Sequence, residues 1–111
     1  MMNEMNKYIK TDIEQALTLL KVAVNNALAD IENGNEEEIN LGTFVSFDLV
    51  VNVAESRGWK ENESKDFDTN GWERDCWYYM ITPNNKQIVI ESCLWKGSPT
   101  KIMIDYYNEN E

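Results

Sequence analysis

The chain of 111 residues contains no histidine. That removes the commonest general base near neutral pH and the commonest neutral metal ligand together. Ser-His-Asp and Cys-His catalysis, and zinc sites that include histidine, are excluded within this chain. It has no glycine-rich phosphate loop and no dinucleotide fingerprint. No apolar run approaches the length that crosses a bilayer, and residues 1–10 lack the apolar core of a secretory signal. A cytoplasmic location is the expectation, and there thiols stay reduced. Cys76 and Cys93 are the only cysteines, and two thiols alone cannot complete a four-ligand structural zinc site. No enzymatic activity, metal or cofactor is expected.

What is present in excess is negative charge. Twenty Asp and Glu face ten Lys and Arg, a net charge of −10. Such a field repels nucleic acid phosphates and anionic lipid surfaces and attracts basic partners. It lies just beyond the magnitude of about 8 that serves solubility in small domains. The charge is uneven: residues 30–75 hold thirteen of the acids and four of the bases, whereas residues 76–111 hold four acids and three bases. Apolar residues make up 42%, enough for the one core of a single domain over residues 1–111.

The first half of the chain reads as helical. Thr11 and Glu14 have capping-box spacing. Ile13, Ala16, Leu17, Leu20, Ala23, Val24, Ala27, Leu28 and Ile31 follow the period of one buried stripe. Asn33-Gly34 is a C-terminal stop. Asp30, Glu32, Glu36, Glu37 and Glu38 then gather near a helix end whose dipole is also negative, with nothing local to offset them. This is either a solvated loop or a docking surface for a basic partner. Residues 39–45 read as extended around Gly42. Ser46 reads as an N-cap and Gly58 as a C-terminal glycine, so residues 47–57 form a second helix. A strand is the competing reading of the apolar run at 44–53.

Residues 60–75 are polar and read as a long loop. Three strands follow at residues 74–82, 86–95 and 100–107, punctuated by Pro83-Asn84-Asn85 and Lys96-Gly97-Ser98-Pro99. The fold class is therefore α+β: two helices packed on an antiparallel sheet of three strands, or four if residues 39–45 add an edge. Alternation places Trp77, Tyr79, Ile81, Ile88, Ile90, Leu94, Ile102, Ile104 and Tyr106 on the core face. The other face carries Cys76, Tyr78, Met80, Val89, Glu91, Cys93, Trp95, Met103, Asp105 and Tyr107. Its mix of aromatics and charges suits a protein-binding surface, unless a loop or third layer covers it. A two-residue loop at Asn84-Asn85 would set Ile81 opposite Ile88 and Cys76 opposite Cys93. A different length for the second hairpin loop would exchange the faces of the third strand.

Asp66-Phe67-Asp68-Thr69-Asn70-Gly71 matches the opening of an EF-hand calcium loop, but the twelfth position is Trp77 where a bidentate Glu is required. An acidic turn closed by Asn70-Gly71 is the simpler reading.

In composition and architecture the chain resembles small phage-encoded inhibitors of the anti-CRISPR and DNA-mimic kind, although no residue signature carries the likeness. The resemblance implies a cytosolic binder that blocks a nucleic-acid-handling enzyme by filling its basic groove. Asp30, Glu32, Glu36, Glu37, Glu38, Glu61, Glu63, Asp66, Asp68, Glu73 and Asp75 would then stand in for phosphates. The candidate partner-binding set is Glu36, Glu37, Glu38, Glu61, Glu63, Asp66, Asp68, Glu73, Asp75, Tyr78, Glu91, Trp95, Asp105 and Tyr107, facing a basic protein such as a nuclease or CRISPR effector. Two other readings stand beside it: an immunity protein that neutralises a basic toxin, and a housekeeping or small-ligand-binding domain with incidental charge.

Overall fold

The computed structural model describes residues 2–43, 45–65, 68–70, 75–93 and 99–105, with backbone alone at 2–10, 68–70, 75 and 93. In chain order these form α1 (Met2–Glu32), β1 (Ile39–Asn40), α2 (Phe47–Ser56), β2 (Lys60–Glu61), β3 (Asp68–Asn70), β4 (Asp75–Ile81), β5 (Gln87–Cys93) and β6 (Lys101–Ile104). The fold is α+β. Two helices pack on one antiparallel sheet of order β1-β6-β5-β4-β2, and β3 also pairs with β4. The expected edge at residues 39–45 is β1, whose Ile39 and Asn40 pair with Ile102 and Lys101.

The second helix has the ends its sequence foretells. The Ser46 hydroxyl accepts the Leu49 N–H at 3.1 Å, an N-cap in extended conformation. Gly58 takes φ +86°, and the Gly58 and Trp59 amides donate to the Glu55 and Ala54 carbonyls, both at 3.0 Å. This pair of bonds is a Schellman closure, which needs a left-handed residue at the glycine position.

The first helix stops where Asn33-Gly34 foretells, with Glu32 its last residue and Gly34 at φ +115°, but its start differs from expectation. It begins at Met2, so Thr11 lies inside the helix and not at its N-terminus. Met, Glu and Lys in residues 2–10 propagate helix well, which continues the backbone past the local capping signal. Only the last part of the stripe is covered: Val24, Leu28 and Ile31 are at most 1% exposed, while Ile13 and Leu17 are 62% and 42% exposed. At the other end, Lys86 Nζ donates to the Ile31 carbonyl at 2.8 Å and Asn84 Nδ2 to the Glu32 carbonyl at 2.9 Å. The helix has no basic residue in its own last turn. The β4–β5 hairpin supplies the cation that its dipole favours.

That hairpin also sets the register. Thr82 N–H donates to the Lys86 carbonyl at 3.0 Å and Asn85 N–H to the Thr82 carbonyl at 2.9 Å. The loop is therefore three residues, Pro83-Asn84-Asn85, with Asn85 left-handed at φ +69°. The two-residue loop expected from the sequence is one residue too short. Met80, not Ile81, faces Ile88, and Cys76 faces Ser92 while Asp75 faces Cys93. The two cysteines are thus not a cross-strand pair.

A one-residue slip exchanges the faces of a strand. Cys76, Tyr78 and Met80 turn toward the helices with Ile88 and Ile90, and Trp77, Tyr79 and Ile81 turn outward. The assignment of Ile88, Ile90 and Ile102 to the core stands, each being at most 1% exposed. Leu94, Trp95, Tyr106 and Tyr107 lie outside the described residues. Residues 60–75, expected to be one loop, contain β2 and β3, which pair in turn along the outer edge of β4. Asp68–Asn70 is extended and paired there, unlike a wrapped calcium loop, and among the described residues no group of three metal-ligating side chains gathers. Among them, too, no helix is long and apolar enough to cross a membrane.

Candidate functional site: an acidic groove beside Tyr78

Trp59 follows the Schellman closure directly and is driven under the helices by its own bulk, leaving 2% exposed. Its indole N–H donates to Glu32 Oε1 at 2.7 Å. The same carboxylate receives Arg57 Nε at 3.1 Å and a second guanidinium nitrogen on its other oxygen, while Arg57 Nη1 donates to Asn25 Oδ1 at 2.8 Å. The Arg57 guanidinium holds Glu32 below the usual carboxylate range despite partial burial, and Glu32 in turn raises Arg57. Glu32 is thus a structural anion joining the end of α1 to the exit of α2. Its expected role as a phosphate mimic is corrected by these partners.

From Trp59 the chain runs into β2, whose Glu61 pairs with Met80 and so shares the helix-side face with Tyr78. An open groove of about 970 Å³ lies here, and its lining includes Glu55, Trp59, Lys60, Glu61, Glu63 and Tyr78. Tyr78 is half-buried, its ring meeting Phe47 edge-on at 5.7 Å between centroids. Burial, and then the charges of Glu61 and Glu55, push its phenol above the ordinary value. Lys60 is the one cation among the described lining residues. The groove therefore joins an aromatic face to three carboxylates, an arrangement that accepts a cation over the ring and hydrogen-bonds it at the rim.

Of the expected partner-binding residues, the fold brings Glu61, Glu63 and Tyr78 together. Glu36, Glu37 and Glu38 are exposed on the α1–β1 connection, and Glu38 lies 4.0 Å from Lys101. Glu91 is on the outer face of the sheet, accepting the Trp77 indole N–H at 3.0 Å. Asp105 is not an open surface charge: its side chain is 5% exposed and ion-paired with Lys65, whose ammonium also sits 5.1 Å above the Tyr79 ring. Lys65 therefore straps the outer face that the sequence marked for binding. Asp68 and Asp75 fall in β3 and β4, where only the backbone is described. Asp66, Glu73, Trp95 and Tyr107 lie outside the described residues.

Glu55, Trp59 and Phe47 escaped the sequence reading of the site. One signal was present for Trp59: a large apolar residue just after a closing glycine packs back on its helix. Compared with known proteins, the chain matches no family model, no curated protein and no solved structure.

Proposed function

We propose that this is a non-enzymatic acidic binding protein whose groove takes a basic side chain of a protein partner, and that it inhibits a partner that handles nucleic acid by occupying its basic surface. The observation that carries the reading is the grouping of Glu55, Glu61 and Glu63 around half-buried Tyr78. An arginine suits this groove best. Its planar guanidinium stacks on the phenol ring while its edge donates to the carboxylates. The net charge of −10 and the exposed Glu36, Glu37 and Glu38 steer the encounter, and the buried contact at Tyr78 holds it. The resemblance to small phage-encoded inhibitors supports a CRISPR or other phage-defence effector as the partner class.

The test begins with capture of partners from the native host, followed by association and dissociation rates at two salt concentrations, with and without competing DNA. The expected partner is basic, its binding weakens with salt, and DNA competes for it. Glu61→Lys with Glu63→Lys should slow association about tenfold. Tyr78→Ala should mainly speed dissociation, at a cost of about 2 kcal/mol. Binding that ignores salt, DNA and all three substitutions would reduce the charge to a solubility device.

A further inference from the structure

The part of α1 that precedes its buried stretch has a pattern of its own. Residues 11–19 are all exposed, and Ile13, Leu17, Leu19 and Val22 are the exposed large apolar residues found among the described ones. An isolated helical arm of this length is marginal in water without tertiary cover. Met2, Met5, Ile9, Ile13, Leu17 and the partly buried Leu20, which packs against the edge of the core, continue the stripe that α1 buries further along. Their spacing of 3, 4, 4, 4 and 3 reads the same in both directions about residue 11. A two-fold interface requires such self-complementarity, because each residue must meet the symmetry mate of another on the same surface.

We infer that the exposed arm of α1 pairs antiparallel with the arm of a second copy of this chain, crossing at residue 11. Position 2 then lies level with 20, 5 with 17 and 9 with 13 of the other copy. Charge on the arm does not oppose this occupant, and charge on the body favours this direction. Residues 1–29 carry three acids (Glu4, Asp12, Glu14) and three bases (Lys7, Lys10, Lys21), so the whole excess of negative charge lies in residues 30–111. At about 1.5 Å per residue, antiparallel arms hold the two residues at position 30 roughly 55 Å apart, several times the ~8 Å screening length. A parallel pair would set the two acidic bodies side by side. The antiparallel crossing also brings position 12, an Asp, level with position 10, a Lys, of the other copy. Two arms of about 20 residues span ~30 Å, and the pairing requires their apolar strips to bury the ~1,200 Å² in total at which specific interfaces begin.

Sedimentation equilibrium of the full chain tests the pairing. The expected mass is twice the 12.9 kDa of one chain at about 100 µM, within the micromolar range typical of modest interfaces. Ile13→Gln with Leu17→Gln, at positions outside the core, should raise the dissociation constant at least about tenfold with circular dichroism of the body retained. Direction is read from the distance between spin labels at Asn26→Cys on a Cys93→Ser background, expected at roughly 45 Å for the antiparallel crossing. A monomer at that concentration, a dimer indifferent to the two substitutions, or labels within about 20 Å of each other would each overturn the inference. So would a monomer whose arm gains helix only on phosphatidylglycerol vesicles, which would make the occupant lipid.

Discussion

The indole N–H of Trp59 points at Glu32 Oε1 across 2.7 Å, joining residues 27 positions apart at the seam of the two helices and the sheet. Glu32 already holds Arg57 with both oxygens, so one carboxylate satisfies three donors from the α2 exit. Losing any partner strands the others in a partly dry site. Trp59→Phe should keep most of the packing and cost about 1.5–3 kcal/mol, the range for a hydrogen bond to a charged group. Trp59→Ala adds a cavity and should cost about 3–5 kcal/mol. Urea unfolding resolves the two, and a Trp59→Phe chain as stable as the wild type would show that the indole hydrogen bond contributes nothing.

The same carboxylate gives the stability a pH dependence. Arg57 holds the Glu32 carboxyl below its ordinary 4.5 in the folded chain. The unfolded state therefore binds the proton more readily, and the contribution is complete above about 4.5. It is lost as pH falls from there through the folded value. Thermal unfolding between pH 7 and pH 3 should show a shallower acid loss for Glu32→Gln than for the wild type, with Glu32→Gln already less stable at pH 7. Parallel acid limbs would assign the loss to other carboxylates.

At the hairpin, Asn85 holds φ +69°, a conformation that asparagine and glycine accept and β-branched residues resist. Asn85→Gly is expected to leave stability nearly unchanged. Asn85→Val should cost about 1–2 kcal/mol and invite the shorter loop that would slip β4 by one residue. Amide exchange along β4 reads the register directly: new protection at the amides that now face outward would reveal the slip.

Lys65 and Asp105 form an ion pair whose side chains are 10% and 5% exposed. Removing one member of such a pair leaves the other charge without compensation, at a cost of about 3–5 kcal/mol. Asp105→Leu alone should therefore destabilise more than Asp105→Leu combined with Lys65→Met, since the double change replaces both charges by apolar volume. A double variant that is worse than the single one would show that Lys65 stabilises mainly through the Tyr79 ring.

The class of the fold, the second helix and the hairpin's location were all legible in the chain, because each rests on contacts within a few residues. Ser46 caps Leu49 three positions away, Gly58 closes the helix it follows, and Pro83-Asn84-Asn85 turns between two alternating apolar runs. Register was not legible, since two- and three-residue loops differ by a single hydrogen-bonding pattern yet exchange every face of β4. That one step moved Tyr78 from an open sheet surface to the wall of an acidic groove. Nor did periodicity decide which part of α1 is buried: the stripe runs on unbroken from Ile31 back past Ile13, and only the size of the body beneath it sets where cover ends. The partners of Glu32, and of Lys65 with Asp105, depend on segments 25 to 40 residues apart. No local pattern encodes such distances, because they are set by how the helices and the sheet stack. Composition alone made the chain acidic; the tertiary fold decided which acids bind inside, which face solvent, and which three gather beside an aromatic ring.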